Sequence, residues 1–191
     1  LVRIDRLRDR RITMQPNEST ALLSPTETPI GVTEALQRLT NARDKGRLGH
    51  ALLFAGGGGH GAYDLAIQLS RELLDMPRES SSSALWNHPD FKCLSPLPPA
   101  SQQVTTDDGT DPVPHQLQRD PYARLEVGAN WGIPADNARQ MIQWASMTPW
   151  QASCKVALVA EVEKVNEATA EILLKTLEEP PDDVTIILVT A

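Results

Sequence analysis

The chain is poor in the residues that staple or anchor a protein. Only two cysteines, Cys93 and Cys154, occur in 191 residues, far apart and without a C-x-x-C pair or a histidine at ligand spacing. Neither a disulfide framework nor a zinc site is indicated, and reduced, buried thiols in a cytosolic protein are the expectation. No apolar run approaches the roughly 18 residues that a membrane helix needs. The N-terminus has no positively charged region followed by an apolar core, so secretion and membrane insertion are not expected and a cytoplasmic setting is. Positive charge is also short, 18 Lys and Arg against 25 Asp and Glu, and the formal charge of −7 argues against coating nucleic acid by bulk electrostatics. A local basic surface stays open. No internal repeat is visible.

What is present is one domain's worth of core. Hydrophobic residues make up 40% of the chain, but the 15 prolines lie mostly outside the periodic segments, so the ordered part should be smaller than the length suggests. The organising stretch is Ala51 to Tyr63. Ala51 to Ala55 form a short apolar run of the kind a parallel sheet buries on both faces. Gly56, Gly57, Gly58, Gly59, His60 and Gly61 follow, and Leu65, Ala66, Leu69 and Leu73 then share one helical face. Strand, glycine-rich turn and helix is the setting of a phosphate-binding loop, and Gly56 to Gly61 has the spacing of G-x-x-x-x-G-K-[ST]. The last two letters differ. Where a working loop has a Lys for the outer phosphates and a Ser or Thr for Mg²⁺, this chain has Ala62 and Tyr63. Backbone N–H groups could still cradle an anion there. The alternative, a flexible glycine linker, fits the flanking strand and helix less well.

Residues 1 to 27 read as a mobile, solvated tail, and residues 28 to 191 as one nucleotide-binding-like α/β domain. Within it, Val32, Ala35, Leu36 and Leu39 predict a helix closed by Gly46 and Gly49. Pro77 and Ser80 to Ser83 predict a break, and His88-Pro89-Asp90 a turn into a strand from Phe91 to Ser95, with His88 in a turn or capping role. Residues 96 to 124, rich in Pro, Asp, Gln and Thr, have no apolar period and read as a polar, mobile insertion. A helix over 133 to 145 presents Ala138, Met141, Ile142 and Ala145, with Pro134 in its first turn. Trp144 and Trp150 read as packing anchors, since no basic residues interleave with them. Val156 to Ala160 is a buried strand with Glu161 at its carboxyl end, the end where open sheets bind ligands. Asn166 caps a helix with Ala170, Leu173, Leu174 and Leu177 inward, Pro180 and Pro181 stop it, and Val184 to Val189 is a last buried strand. A hydrolysing loop protein needs an Asp for Mg²⁺ and a Glu to orient water at the end of the second strand. Ala160 stands in the Asp place and Glu161 in the Glu place.

These residues carry a family resemblance. Lys155 to Pro181 resembles the Walker B strand and following helix of bacterial clamp-loader subunits. Its most specific piece is Leu173, Leu174, Lys175, Thr176, Leu177, Glu178, Glu179, Pro180 and Pro181. Arg47 to Phe54 is similar to the family's R-L-x-H-A-x-L-F segment, His88-Pro89-Asp90 to its H-P-D motif, and Ile133, Asp136 and Arg139 to its I-x-x-D-x-x-R helix. With both nucleotide motifs degenerate, the chain resembles the delta-prime branch of DNA polymerase III more than the ATP-hydrolysing gamma/tau branch.

The resemblance implies a three-layer P-loop NTPase fold of the AAA+ kind with a parallel sheet, incomplete at its C-terminus. The family's S-R-C motif, lid and collar would lie beyond Ala191, and its frequent four-cysteine zinc module has no counterpart in residues 75 to 90. It implies a non-hydrolysing clamp-loader subunit within a DNA-directed DNA polymerase holoenzyme, a nucleotidyltransferase complex, with no reaction from this chain alone. Its partners would be the gamma/tau and delta subunits, and through them the sliding clamp and primed DNA. No catalytic residue, no metal and no cofactor are expected. ATP and Mg²⁺ enter only if the chain is instead a gamma/tau-type subunit, and a truncated AAA+ remnant is a third reading. Since the fifth strand of such sheets pairs outside the first, Ala51 to Ala55 should form a sheet edge.

Overall fold

The computed structural model describes residues 31–56, 61–77, 80–97 and 131–190. In chain order the elements are α1 (Val32–Asp44), β1 (Ala51–Ala55), α2 (Gly61–Leu73), α3 (Ser82–Trp86), β2 (Phe91–Leu94), α4 (Ala135–Ala145), β3 (Lys155–Val159), a 3₁₀ turn (Val162–Lys164), α5 (Glu167–Glu178) and β4 (Val184–Thr190). The four strands form one parallel sheet in the order β1-β4-β3-β2. Ala51 pairs with Ile186, Lys155 with Val184 and Phe91 with Val156, so β3 and β4 are central and β1 is an edge of the described sheet, as the family pattern implies.

The strand sequences follow from their places. β3 is buried at all five positions, which is why Lys155 to Val159 reads as a continuous apolar run after its first residue. Alternate residues feed two cores. Leu52, Phe54, Val156, Leu158, Ile187 and Val189 pack under α1, α2 and α3, while Leu94, Ala157, Val159, Val184 and Ile186 pack under α4 and α5. The result is the three-layer α/β arrangement expected. Each large side chain so buried contributes about 1.5–3 kcal/mol. β1 is covered well on one face only, for Ala51, Leu53 and Ala55 stay half-buried.

Four local expectations need correction. The serine run does not break the chain but opens α3, because Leu85 is buried, Trp86 meets Phe91 edge-on at 5.4 Å, and the Arg71 guanidinium donates to the carbonyls of Ser80 and Ser81. Pro134 lies outside α4 as its N-cap, in extended conformation. On α5 the inward positions are Thr169, Leu173 and Thr176, and Leu174 is 53% exposed. Thr169 can face the core because its hydroxyl donates to the Ile133 carbonyl at 2.8 Å, and that choice rotates Leu174 to the solvent side. Trp150 is no packing anchor: it is 83% exposed.

The boundaries of the N-terminal tail and most of the polar insertion lie outside the described residues. Pro96 and Leu97 belong to the described part, and Leu97 exchanges backbone hydrogen bonds with Gly132 at 2.8 and 3.1 Å, a short antiparallel bridge that joins the two ends of the segment between them. Among the described residues no helix is long and apolar enough to cross a membrane.

Candidate functional site

In a parallel sheet with helices on both faces, ligands sit at the carboxyl ends of the strands, here the region following Ala55, Leu94, Val159 and Thr190. β1 delivers Gly56 to this edge, and the Gly56 amide donates to the Thr190 carbonyl at 3.3 Å, tying the start of the glycine loop to the end of β4. Gly57, Gly58, Gly59 and His60 are outside the described residues. Gly61 opens α2. The loop's first glycine makes a close approach: a Cβ on Gly56 would stand 3.2 Å from the Ala62 Cβ, tight enough that Ala62 would have to give by a few tenths of an ångström. Gly56 and Ala62 are therefore brought close together.

Tyr63 extends from the first turn of α2. Its ring packs with the core under α1 and α2, beside Cys93, and its hydroxyl is buried without a hydrogen-bond partner. Burial raises the phenol's pKa, and the neighbouring Cys93, Asp64 and Glu161 push it the same way. Ala160 is buried and its amide donates to the Leu94 carbonyl at 2.8 Å, which closes the strand end with backbone contacts and offers no side-chain oxygen. Glu161 follows in the left-handed region, with φ 52° and ψ 58°. A non-glycine residue there carries about 1–2 kcal/mol of strain. Its carbonyl accepts from the Lys164 amide at 2.9 Å, which starts the 3₁₀ turn.

The donor set does not fit a magnesium nucleotide. At the positions where a phosphate-binding loop of this spacing carries its phosphate cation and metal ligands, this chain offers the Ala62 methyl, the Tyr63 phenol and the Ala160 methyl. Among the described residues no group of three or more His, Cys, Asp or Glu could hold a metal. Burial pushes the Cys93 thiol up to about 12 and raises the Cys154 thiol as well, so both are protonated, inert thiols at neutral pH.

Leu177, His50 and His88-Pro89-Asp90 lie at the amino ends of the strands, whereas Ile133 stays at the carboxyl ends, its amide donating to the Lys164 carbonyl at 3.3 Å. α5 runs back from β3 to the start of β4, so Leu177 and the prolines after it end far from the glycine loop. There the Leu177 carbonyl meets His50 Nε2 at 3.2 Å, and the His50 carbonyl accepts from Ile186 at 2.7 Å. His88 takes the capping role expected of it, its Nδ1 accepting from the Asp90 amide at 3.1 Å. What sequence reasoning missed is Asp90 itself. Its carboxylate is fully buried and accepts three backbone N–H bonds, from Trp150 at 2.7 Å, Gln151 at 2.7 Å and Ala152 at 2.9 Å. Burial alone would raise this carboxyl's pKa, but the three N–H groups and nearby His88 together hold it below the usual range. Beside it Lys155, buried, donates to the Trp144 carbonyl at 2.8 Å and lies 4.4 Å over the Trp144 ring, while the Trp144 indole N–H donates to Pro89 at 3.0 Å. Trp144 is thus the packing anchor expected, with a basic partner that sequence spacing did not suggest. Asp136 and Arg139 form an exposed pair at 2.5 Å.

A family model described as "DNA polymerase III, delta subunit" matches residues 31–191. No curated protein matches the sequence. Among solved structures, the chain is similar to a DNA polymerase III gamma subunit-related protein from Thermotoga maritima, with a TM-score of 0.50 and 19% identity over 81% of this chain. This chain spans 38% of the length of that protein. At such identity the likeness establishes the α/β fold alone.

Proposed function

The chain belongs to the DNA polymerase III delta-subunit family, and from that premise we propose that it acts as a delta-prime-like clamp-loader subunit that does not hydrolyse ATP. In this role it gives an AAA+ fold to an assembly whose chemistry is done by its neighbours. The partners are gamma/tau and delta subunits in the cytoplasm, and through them the sliding clamp and primed DNA. The observation that carries the reading is the pairing of two defects on adjoining elements: Ala62 and Tyr63 at the start of α2, and Ala160 at the end of β3. Each removes a different contact to the same magnesium nucleotide, the phosphate cation and the two metal ligands.

A second reading, a hydrolysing gamma/tau-type subunit, is favoured by Glu161, which keeps the position that orients water. It has no metal ligand beside it at Ala160. Titration of the unaltered chain with ATP and Mg²⁺ in a calorimeter separates the two readings. No saturable heat and no phosphate release are expected. A micromolar affinity, or measurable turnover, would transfer the chain to the gamma/tau reading.

A further inference from the structure

We draw no further inference here: the strongest candidate, the cavity of about 370 Å³ at the amino ends of the strands that Arg43, His50, Asp75, Cys154, Asp182 and Asp183 line, carries nothing, because an acidic cluster and a lone cysteine beside an arginine that already pairs with Asp75 specify no ligand.

Discussion

Replacing Asp90 by alanine removes the acceptor of three buried backbone donors at once, and the size of the loss can be worked from the contacts. Each N–H bond to an ionised carboxylate contributes about 1.5–3 kcal/mol, and a buried donor left without a partner costs about 1–3 kcal/mol. The three bonds share one acceptor group, and the loop at 150 to 152 is partly solvated, so the sum is not additive. A loss of about 3–5 kcal/mol is the expectation, in line with breaking other buried charged contacts. Against a total stability of about 5–15 kcal/mol that is a large fraction, and for a chain of this size it lowers Tm by about 6–20 °C. Asparagine is the finer probe. Gln151 and Ala152 donate to one carboxylate oxygen and Trp150 to the other, so whichever way the amide is turned its NH₂ faces a donor. Asp90→Asn should therefore lose about 2–3 kcal/mol at neutral pH. The pH dependence has a definite sign. The folded carboxyl is held below its ordinary value of 3.8, so its stabilisation is fully present above the unfolded pKa and is lost as pH falls through the folded pKa. The stability gap between the unaltered chain and Asp90→Asn, measured by urea denaturation, should be wide at pH 7 and narrow progressively as pH falls below the carboxyl's ordinary value of 3.8. Equal midpoints at pH 7, or a gap that widens in acid, would refute the account.

Two further outcomes follow from the same contacts. Thr169→Val keeps the shape of a buried side chain but strands the Ile133 carbonyl. It should cost about 1–2 kcal/mol in urea denaturation, and no loss would mean the α4–α5 layer is held otherwise. Trp150→Ser should change stability by less than about 0.5 kcal/mol, because the exposed indole contributes little while the backbone amide that reaches Asp90 is retained. A larger loss would place the ring in the core after all.

The parts of the fold that could be read from the sequence are those where a single period rules. β3 and β4 are buried on both faces and read as apolar runs broken only by Lys155 at the start of β3 and by Thr185 and Thr190 in β4, and the α2 face of Leu65, Ala66, Leu69 and Leu73 is helical spacing with nothing against it. Misreadings arose where a distant partner overrode the local pattern. Thr169 enters the core only because the Ile133 carbonyl waits for it, and Trp150 leaves it because its backbone turns to Asp90. α3 forms in a serine-rich stretch because Leu85 and Trp86 find the start of β2. At the candidate site Ala62 and Tyr63 are legible by their spacing from the glycine loop, and Ala160 by its place at a strand end. That Tyr63 packs into the core with its hydroxyl buried was not legible, for its partners there come from strands far along the chain and no period connects them.

The register of Ala51 with Ile186 has a consequence for synthesis. β1 leaves the ribosome early, while the strand that must lie beside it is among the last segments described. At roughly 5–20 residues per second the interval is on the order of 10 s, long compared with helix or hairpin formation. Throughout it Leu52 and Phe54 have α1 and α2 beside them but not the neighbouring strand that completes their core, because Ile187 and Val189 have yet to arrive. Only when β4 enters between β1 and β3 do the two halves of the chain become one cooperative body. A nascent chain paused before Val184 therefore holds helices and an unpaired strand, and keeping it from its neighbours on the polysome falls to whatever shelters exposed apolar segments in the cell.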